Sequence, residues 1–400
     1  MPGDLERVRG WFADGACRAP VAAAPSTVDV ARALARAGGA AAPAPAAAET
    51  LRAAVAGAEQ RVLVVVDGLG CALLERQGGS AFLRRQRTIE LRAVFPSTTA
   101  AALTSLATGA WPAAHAVTGW FTRLPAFGLT ATILPFVERD SGRPLERFGV
   151  MAADAFPVAS LLEKHREAVH VSHPRAIADS VYTRYWAGAR AMRHAYDGLD
   201  DAVTAIAERV RAREGSALHT LYVPMVDEAG HAEGALSGAV QAAFETVDAA
   251  LERLHAALAG RARLLVTSDH GMIDVPEEAR HRWGREDPLP ALLAAAPSGE
   301  ARAPLFHVRA GQHAAFAALF RERLGERFAL LTPDDAAALH LFGPEPLTPE
   351  TRRRVGDYVA VCAGPDIVLD ESRGATGQGR LRGFHGGLTP DEMRIPLVVA

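Results

Sequence analysis

The sequence predicts an α/β protein in which parallel strands alternate with helices. Three short segments predict core strands, and each is followed by residues of metal-ligand type: 62–66, 218–226 and 264–267. Between the last two segments, apolar residues recur at spacings of four and three from Val240 to Leu258, which predicts an amphipathic helix over 238–259. Strand, helix and strand in this order form a β-α-β unit with parallel strands.

Length and composition set the domain organisation. The chain has 400 residues, of which 49% are hydrophobic and 22% charged, so it can bury a large core. We predict an N-terminal helical segment over 1–60, an α/β core over 61–275, an inserted subdomain over 276–380 and a return to the core over 381–400. The inserted subdomain is expected to be a small α+β unit, with strands at 305–308 and 327–331 around a helix at 313–324.

Charge and cysteine content exclude several classes of protein. The net charge is -3 and no long basic run occurs, which argues against a protein that wraps nucleic acid. Cys17, Cys71 and Cys362 form no CxxC pair, so neither a disulfide framework nor a thiolate zinc site is predicted. The N-terminus lacks a signal-peptide pattern, and no apolar run approaches the roughly 20 residues of a membrane helix. We therefore expect a cytoplasmic protein without membrane contact.

The first core strand ends in a carboxylate. Five aliphatic residues precede Asp67, Gly68 and Gly70. One interpretation is the first turn of a dinucleotide-binding unit, but the full G-x-G-x-x-G is missing and the acid stands where the first glycine belongs. A metal ligand explains Asp67 better.

A hydroxyl-rich segment precedes a predicted helix over 100–108. Pro96 is followed by Ser97, Thr98 and Thr99, any of which can cap that helix, and Gly109 can end it. A capped helix is the structural interpretation. The functional one is a nucleophilic hydroxyl at a helix N-terminus, where free N–H groups and the helix dipole favour an alkoxide and a phosphate.

Two further segments carry residues of metal-ligand type. Asp227 and His231 are four apart, a spacing that brings side chains together on one helical turn or in a tight loop, although a surface helix start would look the same. Asp269 and His270 follow the third strand, where an Asp that hydrogen-bonds its own backbone is the alternative. His385 lies beside glycines after a glycine-rich stretch, which favours a ligand or catalyst.

The other histidines and the aromatic residues suggest structural roles. Four histidines have no partner at metal-ligand spacing, so we take them as structural: His115, His165, His170 and His173. Most aromatic side chains of residues 110–200 are expected in the core. The segment 182–186 is rich enough in aromatic residues that we keep Tyr182 as a candidate substrate contact.

Together these segments supply three carboxylates, three imidazoles and a threonine hydroxyl. Such ligands suit zinc, with manganese or magnesium less favoured. Two divalent cations and three carboxylates leave one positive charge, which a threonine alkoxide would neutralise before a phosphoryl substrate shares both metals.

In its order and residue types, this set resembles the alkaline phosphatase superfamily, specifically its type I phosphodiesterase/nucleotide pyrophosphatase branch, from about residue 62 to 399. The resemblance implies a mostly parallel central sheet sandwiched by helices, with two metals at its carboxyl edge. It implies one metal on Asp67, Asp269, His270 and the nucleophile, and the other on Asp227, His231 and His385. The family spacing places the nucleophile three residues after Pro96 and ten before Gly109, which selects Thr99, with Thr98 as its replacement.

The resemblance implies a two-metal phosphoryl hydrolase that cleaves phosphodiester or nucleotide pyrophosphate bonds of a small molecule through a phospho-threonine. A phosphonoacetate-like phosphonate hydrolase or a phosphomonoesterase is the alternative, and a non-catalytic metal-binding protein ranks below both. The resemblance also implies an Asn that holds a phosphate oxygen where this chain has Ala102. A backbone N–H of the Thr99 helix, or Arg123, is expected to replace it.

Overall fold

The computed structural model describes residues 3–372, 374 and 377–400. Within them, seven strands form the central sheet, in the spatial order Arg87–Arg92, Arg394–Val399, Ala262–Thr267, Gln60–Val66, Ala217–Val223, Ala168–Pro174 and Met192–Tyr196. Only Arg394–Val399 runs against its neighbours. The mostly parallel central sheet is therefore confirmed.

The aliphatic strands are long apolar runs because both faces of the sheet are covered. Along the first strand, Val62, Val64 and Val66 belong to one core cluster, whereas Leu63 and Val65 belong to another. A strand that is buried on both faces needs apolar side chains at every position, rather than at alternate ones.

Helices cover each face of the central sheet. Helices that contribute to the cluster around Leu63 include Thr27–Ala37, Ala48–Val55, Thr99–Thr108 and Val181–Ala187. The opposite face is covered by Cys71–Glu75, Phe82–Arg85, Leu199–Ala212, Met225–Glu233 and Gly238–Leu258. The remaining helices of the described residues are Asp4–Asp14, Pro112–His115, Ala152–Ala155, Pro288–Ala291, His313–Leu324, Pro333–Ala338, Pro349–Val355 and Pro390–Met393. None of the helices among the described residues combines the length and the hydropathy needed to cross a membrane.

The predicted β-α-β unit is present, with one boundary moved. The amphipathic helix spans Gly238–Leu258, close to its predicted range. The strand predicted over 218–226 ends at Val223, because Pro224 cannot continue the strand hydrogen bonding and a helix begins at Met225. Asp227 consequently lies in the first turn of a helix rather than in a strand or loop.

A second, antiparallel sheet lies beside the carboxyl edge of the first. Its strands are, in spatial order, Phe328–Leu331, Tyr358–Cys362, Pro304–Phe306, Ser298–Gly299, Phe121–Leu124, Leu129–Thr132 and Val137–Glu138. Two small pairings join Ile273–Asp274 to Gly383–Phe384, and Arg280–Trp283 to Ile367–Asp370. This second sheet contains strands from residues 121–138 and from residues 298–362. It therefore combines segments that precede and follow residue 275, the predicted end of the α/β core. The division into domains stays a prediction.

A buried ion pair ties the second sheet to the last strand of the first. Arg302 lies in the turn between Ser298–Gly299 and Pro304–Phe306, and Glu392 lies just before Arg394–Val399. The guanidinium meets the carboxylate at 2.9 Å and 2.7 Å, and both side chains have no solvent exposure. Arg302 also donates to two backbone carbonyls, and Glu392 accepts from the Gly387 N–H, so the pair is hydrogen-bonded on all sides.

Candidate active site

Three carboxylates meet at the carboxyl edge of the central sheet. Asp67 and Asp269 follow neighbouring parallel strands, and Asp227 lies in the helix that follows a third. These three strands lie side by side and end level with one another. The side chains that follow them are therefore delivered to one place, although they are separated by up to 202 positions in the sequence.

The three carboxylates lack the hydrogen bonds that burial requires. Asp67 and Asp269 are only 2% and 1% exposed, and Asp227 is half-buried. One oxygen of each is buried and accepts no hydrogen bond from any described residue: Asp67 Oδ1, Asp227 Oδ1 and Asp269 Oδ2. An unpaired buried carboxylate oxygen is costly, whereas a coordinated cation satisfies it. This donor set therefore fits divalent metal ions.

Three histidines turn the same ring nitrogen toward these carboxylates. Each Nδ1 lies within hydrogen-bonding distance of a backbone carbonyl: Gly271 O for His270 (3.0 Å), Gly383 O for His231 (2.9 Å) and Ser97 O for His385 (3.1 Å). Because a carbonyl only accepts, we assign the proton to Nδ1, which leaves the Nε2 lone pair facing the site. Metal-ligating histidines are commonly oriented by this kind of bond.

The ligand atoms fall into two overlapping groups. Among the described residues, Asp67, Asp269 and His270 form one group, and Asp227, His270 and His385 form another, with ligand atoms within 4.8 Å of one another in each. His231 borders the second group, since its Nε2 lies 3.2 Å from His385 Nε2 and 3.4 Å from Asp227 Oδ2. His270 stacks on His385 with ring centroids 3.7 Å apart, so it adjoins both groups rather than the first alone.

Thr99 stands at the start of a helix that points at these groups. Its Oγ1 lies 3.2 Å from His270 Nε2 and 3.5 Å from Asp67 Oδ2, and its side chain lines the adjoining cavity. The helix spans Thr99–Thr108, so its first N–H groups and its positive dipole end face the same place. Thr98 is the residue before the helix and is not among the described lining residues, so Thr99 rather than Thr98 faces the cavity.

Burial and mutual repulsion suppress charge on the ligand set. Burial, followed by the nearby Asp269 and Asp227, raises the pKa of Asp67 well above its usual value, and a hydrogen bond from the Tyr222 phenol opposes that rise. Burial also lowers the pKa of His385 well below its usual value, with His270 and His231 adding to the effect. Bound cations would take the place of protons on the carboxylates and would use neutral imidazoles directly.

A cavity of about 1020 Å³ opens beside the ligand groups. It lies between the central sheet and the second sheet, and its walls are mainly apolar and aromatic, with Trp120, Phe121, Leu134 and Ile177 among them. Volumes of this order accommodate whole organic ligands. The cavity thus has room for much more than a phosphoryl group.

The structure brings one predicted substrate contact to the cavity and leaves another outside it. Tyr182 lines the cavity, with its hydroxyl 3.1 Å from Thr104 Oγ1. Arg123 lies on the strand Phe121–Leu124 but is not among the described lining residues. It is two residues, or about 7 Å, further along the strand than Phe121, which does line the cavity. Because side chains alternate along a strand, Arg123 lies on the same face as Phe121 and stays a proposed phosphate contact.

Ala102 does not face the cavity either. It is fully buried in a cluster that includes Val28, Val94 and Trp111. The free N–H groups at the start of the Thr99 helix, or Arg123, remain the candidate replacements for the Asn that the resemblance implies.

Sequence reasoning missed two residues of the site. Tyr222 donates its phenol hydrogen to Asp67 Oδ2, and Glu300 lines the cavity from the second sheet. Tyr222 lies within a predicted strand, where an aromatic residue suggests only packing. Glu300 lies in a short turn, and no spacing pattern connects that turn to the other segments.

Comparisons with known proteins agree with this architecture. A model of the family described as type I phosphodiesterase/nucleotide pyrophosphatase matches residues 61–388. Murine ectonucleotide pyrophosphatase/phosphodiesterase 5 is similar in structure, with a TM-score of 0.63 and 17% identity over 84% of this chain and 87% of that chain.

Two related structures give the same result. An inactive threonine-to-alanine variant of the mouse protein in complex with AMP matches with a TM-score of 0.64 and 17% identity, over 85% of this chain and 87% of that chain. The human protein matches with a TM-score of 0.61 and 16% identity over the same shares. The chain matches no curated protein sequence. At these identities the structural likeness shows a shared fold.

Proposed function

The chain belongs to the type I phosphodiesterase/nucleotide pyrophosphatase family and is a hydrolase, and on that premise we propose that it cleaves phosphodiester or nucleotide pyrophosphate bonds through a covalent phospho-threonine at Thr99. The observation that carries the proposal is the convergence of the Thr99 hydroxyl with six ligand-type side chains at one edge of the sheet. Among the described residues, the groups of three or more metal-ligand side chains are the two at this edge.

We propose that two divalent metal ions, zinc by ligand preference, bind at this edge. Asp67, Asp269, His270 and Thr99 would hold one, and Asp227, His231 and His385 the other. The unpaired carboxylate oxygens and the inward-facing Nε2 atoms support this division. When bound, such ions lower the pKa of a coordinated hydroxyl and neutralise charge on a phosphoryl group.

The chain's own groups account for the rest of the reaction. Thr99 loses its proton to solvent, and its Oγ1 attacks phosphorus in line with the departing ester oxygen. The new Oγ1–P bond forms as the bond to the leaving alcohol breaks, and that alcohol takes up a proton from water. A water molecule then attacks phosphorus from the opposite side, breaks the Oγ1–P bond and restores the hydroxyl. The helix N-terminus at Thr99 stabilises negative charge in both steps.

The mouse relative supports the same assignment. Its threonine-to-alanine variant is inactive and forms a complex with AMP. An essential threonine and a nucleotide ligand in that protein are consistent with Thr99 as nucleophile and with a nucleotide or related phosphodiester as substrate here.

Replacement of Thr99 tests the proposal. We expect Thr99→Ala to lower kcat for bis(4-nitrophenyl) phosphate by at least ~10³-fold, because the covalent route is lost. Zinc content by elemental analysis should stay the same, since six other ligands remain. Thr108→Ala, a buried threonine at the other end of the helix, is the matched control and should keep its activity. Full activity of Thr99→Ala, or loss only in Thr98→Ala, would refute the assignment.

A further inference from the structure

The cavity beside the ligand groups carries negative charge that the proposed metal sites do not use. Its described lining residues include Glu228 and Glu300 in addition to Asp67 and Asp227, and none of these lining residues is Lys or Arg. Once a phosphoryl group has taken up the positive charge of the metals, the other described residues of the cavity lining are carboxylates and neutral groups. This charge distribution bears on the organic part of the substrate.

Glu300 is aimed into the cavity by a tight turn. The Ala303 N–H donates to Glu300 O at 3.1 Å, and Gly299 before it has φ +79 with no room for a side chain. A Cβ at Gly299 would lie 2.6 Å from the Ala303 carbonyl oxygen, so only glycine permits this turn. The second sheet thereby fixes where the Glu300 carboxylate meets the cavity.

Glu300 is buried without a cationic partner. Its side chain is 6% exposed, its Oε1 accepts the Trp120 N–H at 2.6 Å, and no described Lys or Arg forms an ion pair with it. A buried carboxylate without a counter-charge is costly to the fold. Arg302, two residues later, shows that this part of the sheet can pair a buried charge when stability requires it. Burial raises the pKa of Glu300 to about 7, so its side chain carries the full negative charge only above that pH.

Glu228 adds a second carboxylate at the cavity mouth. It follows Asp227 in the helix Met225–Glu233, and its side chain is exposed while also lining the cavity. No described cation pairs with it. We call the ester group that extends from the phosphorus into the cavity the arm of the substrate. Such an arm would pass the Glu300 carboxylate inside the cavity and the Glu228 carboxylate at its mouth.

From this geometry we infer that Glu228 and Glu300 are specificity-determining residues that restrict the cavity to ester groups without negative charge. The inference rests on the proposed function, since it concerns the group attached to the same phosphorus. The preferred substrate is then a phosphodiester whose cavity-bound arm is neutral or cationic and largely apolar, because aromatic and aliphatic side chains form most of the wall. An anionic arm would meet repulsion that no described cation in the wall offsets.

Two substrates of equal size test this inference. Both are 4-nitrophenyl diesters of phosphate: in one the second arm is 4-carbamoylphenyl, and in the other it is 4-carboxyphenyl, so the arms differ by a single charge. We expect kcat/KM of the zinc-loaded wild-type protein at about pH 8.5 to favour the carbamoyl substrate by ~10-fold. Because the comparison is a ratio on one preparation, metal content cancels.

Three variants test which residues cause the preference for the uncharged arm. Glu300→Gln and Glu228→Gln should each reduce the ratio to about threefold or less, since each removes one of the two charges. Glu233→Gln is the matched control, because it lies on the same helix as Glu228 but outside the cavity lining, beside Arg382. Its ratio should equal that of the wild type. If Glu300→Gln fails to fold, Glu228→Gln alone still tests the inference.

The outcomes separate this inference from the proposed function. Equal or faster turnover of the carboxyphenyl substrate, or a ratio that neither glutamate variant changes, overturns the charge selection while the hydrolase assignment stands. If the zinc-loaded protein cleaves neither substrate, the proposed function fails first, and the inference that rests on it fails with it.

Discussion

Two groups of three histidines occupy opposite ends of the same sheet. At the carboxyl edge, His231, His270 and His385 each bind a backbone carbonyl through Nδ1 and turn Nε2 toward carboxylates. Near the amino ends of three neighbouring strands, His170, His194 and His219 form a stack, with His170 and His219 ring centroids 4.7 Å apart and nearly parallel. Only the first group has the arrangement of a metal site.

The difference lies in what surrounds the rings. In the stack, His170 and His194 share a hydrogen bond of 3.0 Å, and His219 Nε2 meets the Gln60 amide at 3.1 Å. The charged neighbours that act on these rings are Arg209 and Arg213, not carboxylates. Clustering of imidazoles is therefore not enough: anchored Nδ1 atoms and adjacent carboxylates distinguish a candidate ligand set from a packed stack.

Removal of one imidazole from each group gives the largest expected contrast. We expect His385→Ala to lose close to one equivalent of bound zinc and to reduce kcat/KM by at least ~10²-fold, because a ligand is lost. His194→Ala should keep both zinc equivalents and activity within about twofold, since its ring stacks on and hydrogen-bonds another imidazole far from the carboxylates of the candidate site. Elemental analysis and diester hydrolysis measure both. Equal loss of zinc in the two variants would show that the two histidine groups do not differ in metal binding.

A smaller effect is expected from Tyr222, which holds the proposed metal ligand Asp67 through a hydrogen bond. Tyr222→Phe removes the phenol that donates to Asp67, and we expect a ~10-fold weaker zinc affinity with a similar fall in activity. Tyr185→Phe is the control, because its hydroxyl binds the Val158 carbonyl away from the ligand groups. Competition with a chelator measures the affinity, and an unchanged value in Tyr222→Phe would place Asp67 outside the metal site.

The smallest effects concern stability, and they have opposite signs in the carboxylates of the candidate site and in the histidine stack. Burial raises the pKa of Asp67 and Asp227 above the unfolded value, so the metal-free fold binds extra protons and loses stability as pH rises above about 4. Burial lowers the pKa of His170 to about 4 and of His219 to about 3, so the stack loses stability as pH falls below about 6.5.

Thermal melting of chelator-treated protein between about pH 4.5 and pH 8 separates the two trends. Asp67→Asn should raise the melting temperature at the alkaline end by about 2–4 °C, and His219→Gln should do so at the acid end. Zinc should remove the alkaline loss, because it replaces the protons on these carboxylates. An alkaline loss that persists in zinc would mean that Asp67 and Asp227 do not bind the metal.

The sequence predicted the parts of the site that follow from local pattern. Asp67 and Asp269 follow aliphatic runs, and such runs predict strand ends directly. The sequence did not predict Glu300, because its place depends on how a second sheet packs against the first. The core position of Ala102 depends in the same way on tertiary packing, which spacing alone does not encode. The cytoplasmic location stays a prediction.

The ion pair between Arg302 and Glu392 has a consequence for how ligands exchange. To part the two sheets, the molecule would have to break this buried pair together with the hydrogen bonds that Arg302 and Glu392 make to the surrounding backbone. Substrate and product should therefore enter and leave through the existing mouth of the cavity. The width of that mouth, rather than a domain movement, should limit the size of the molecules admitted.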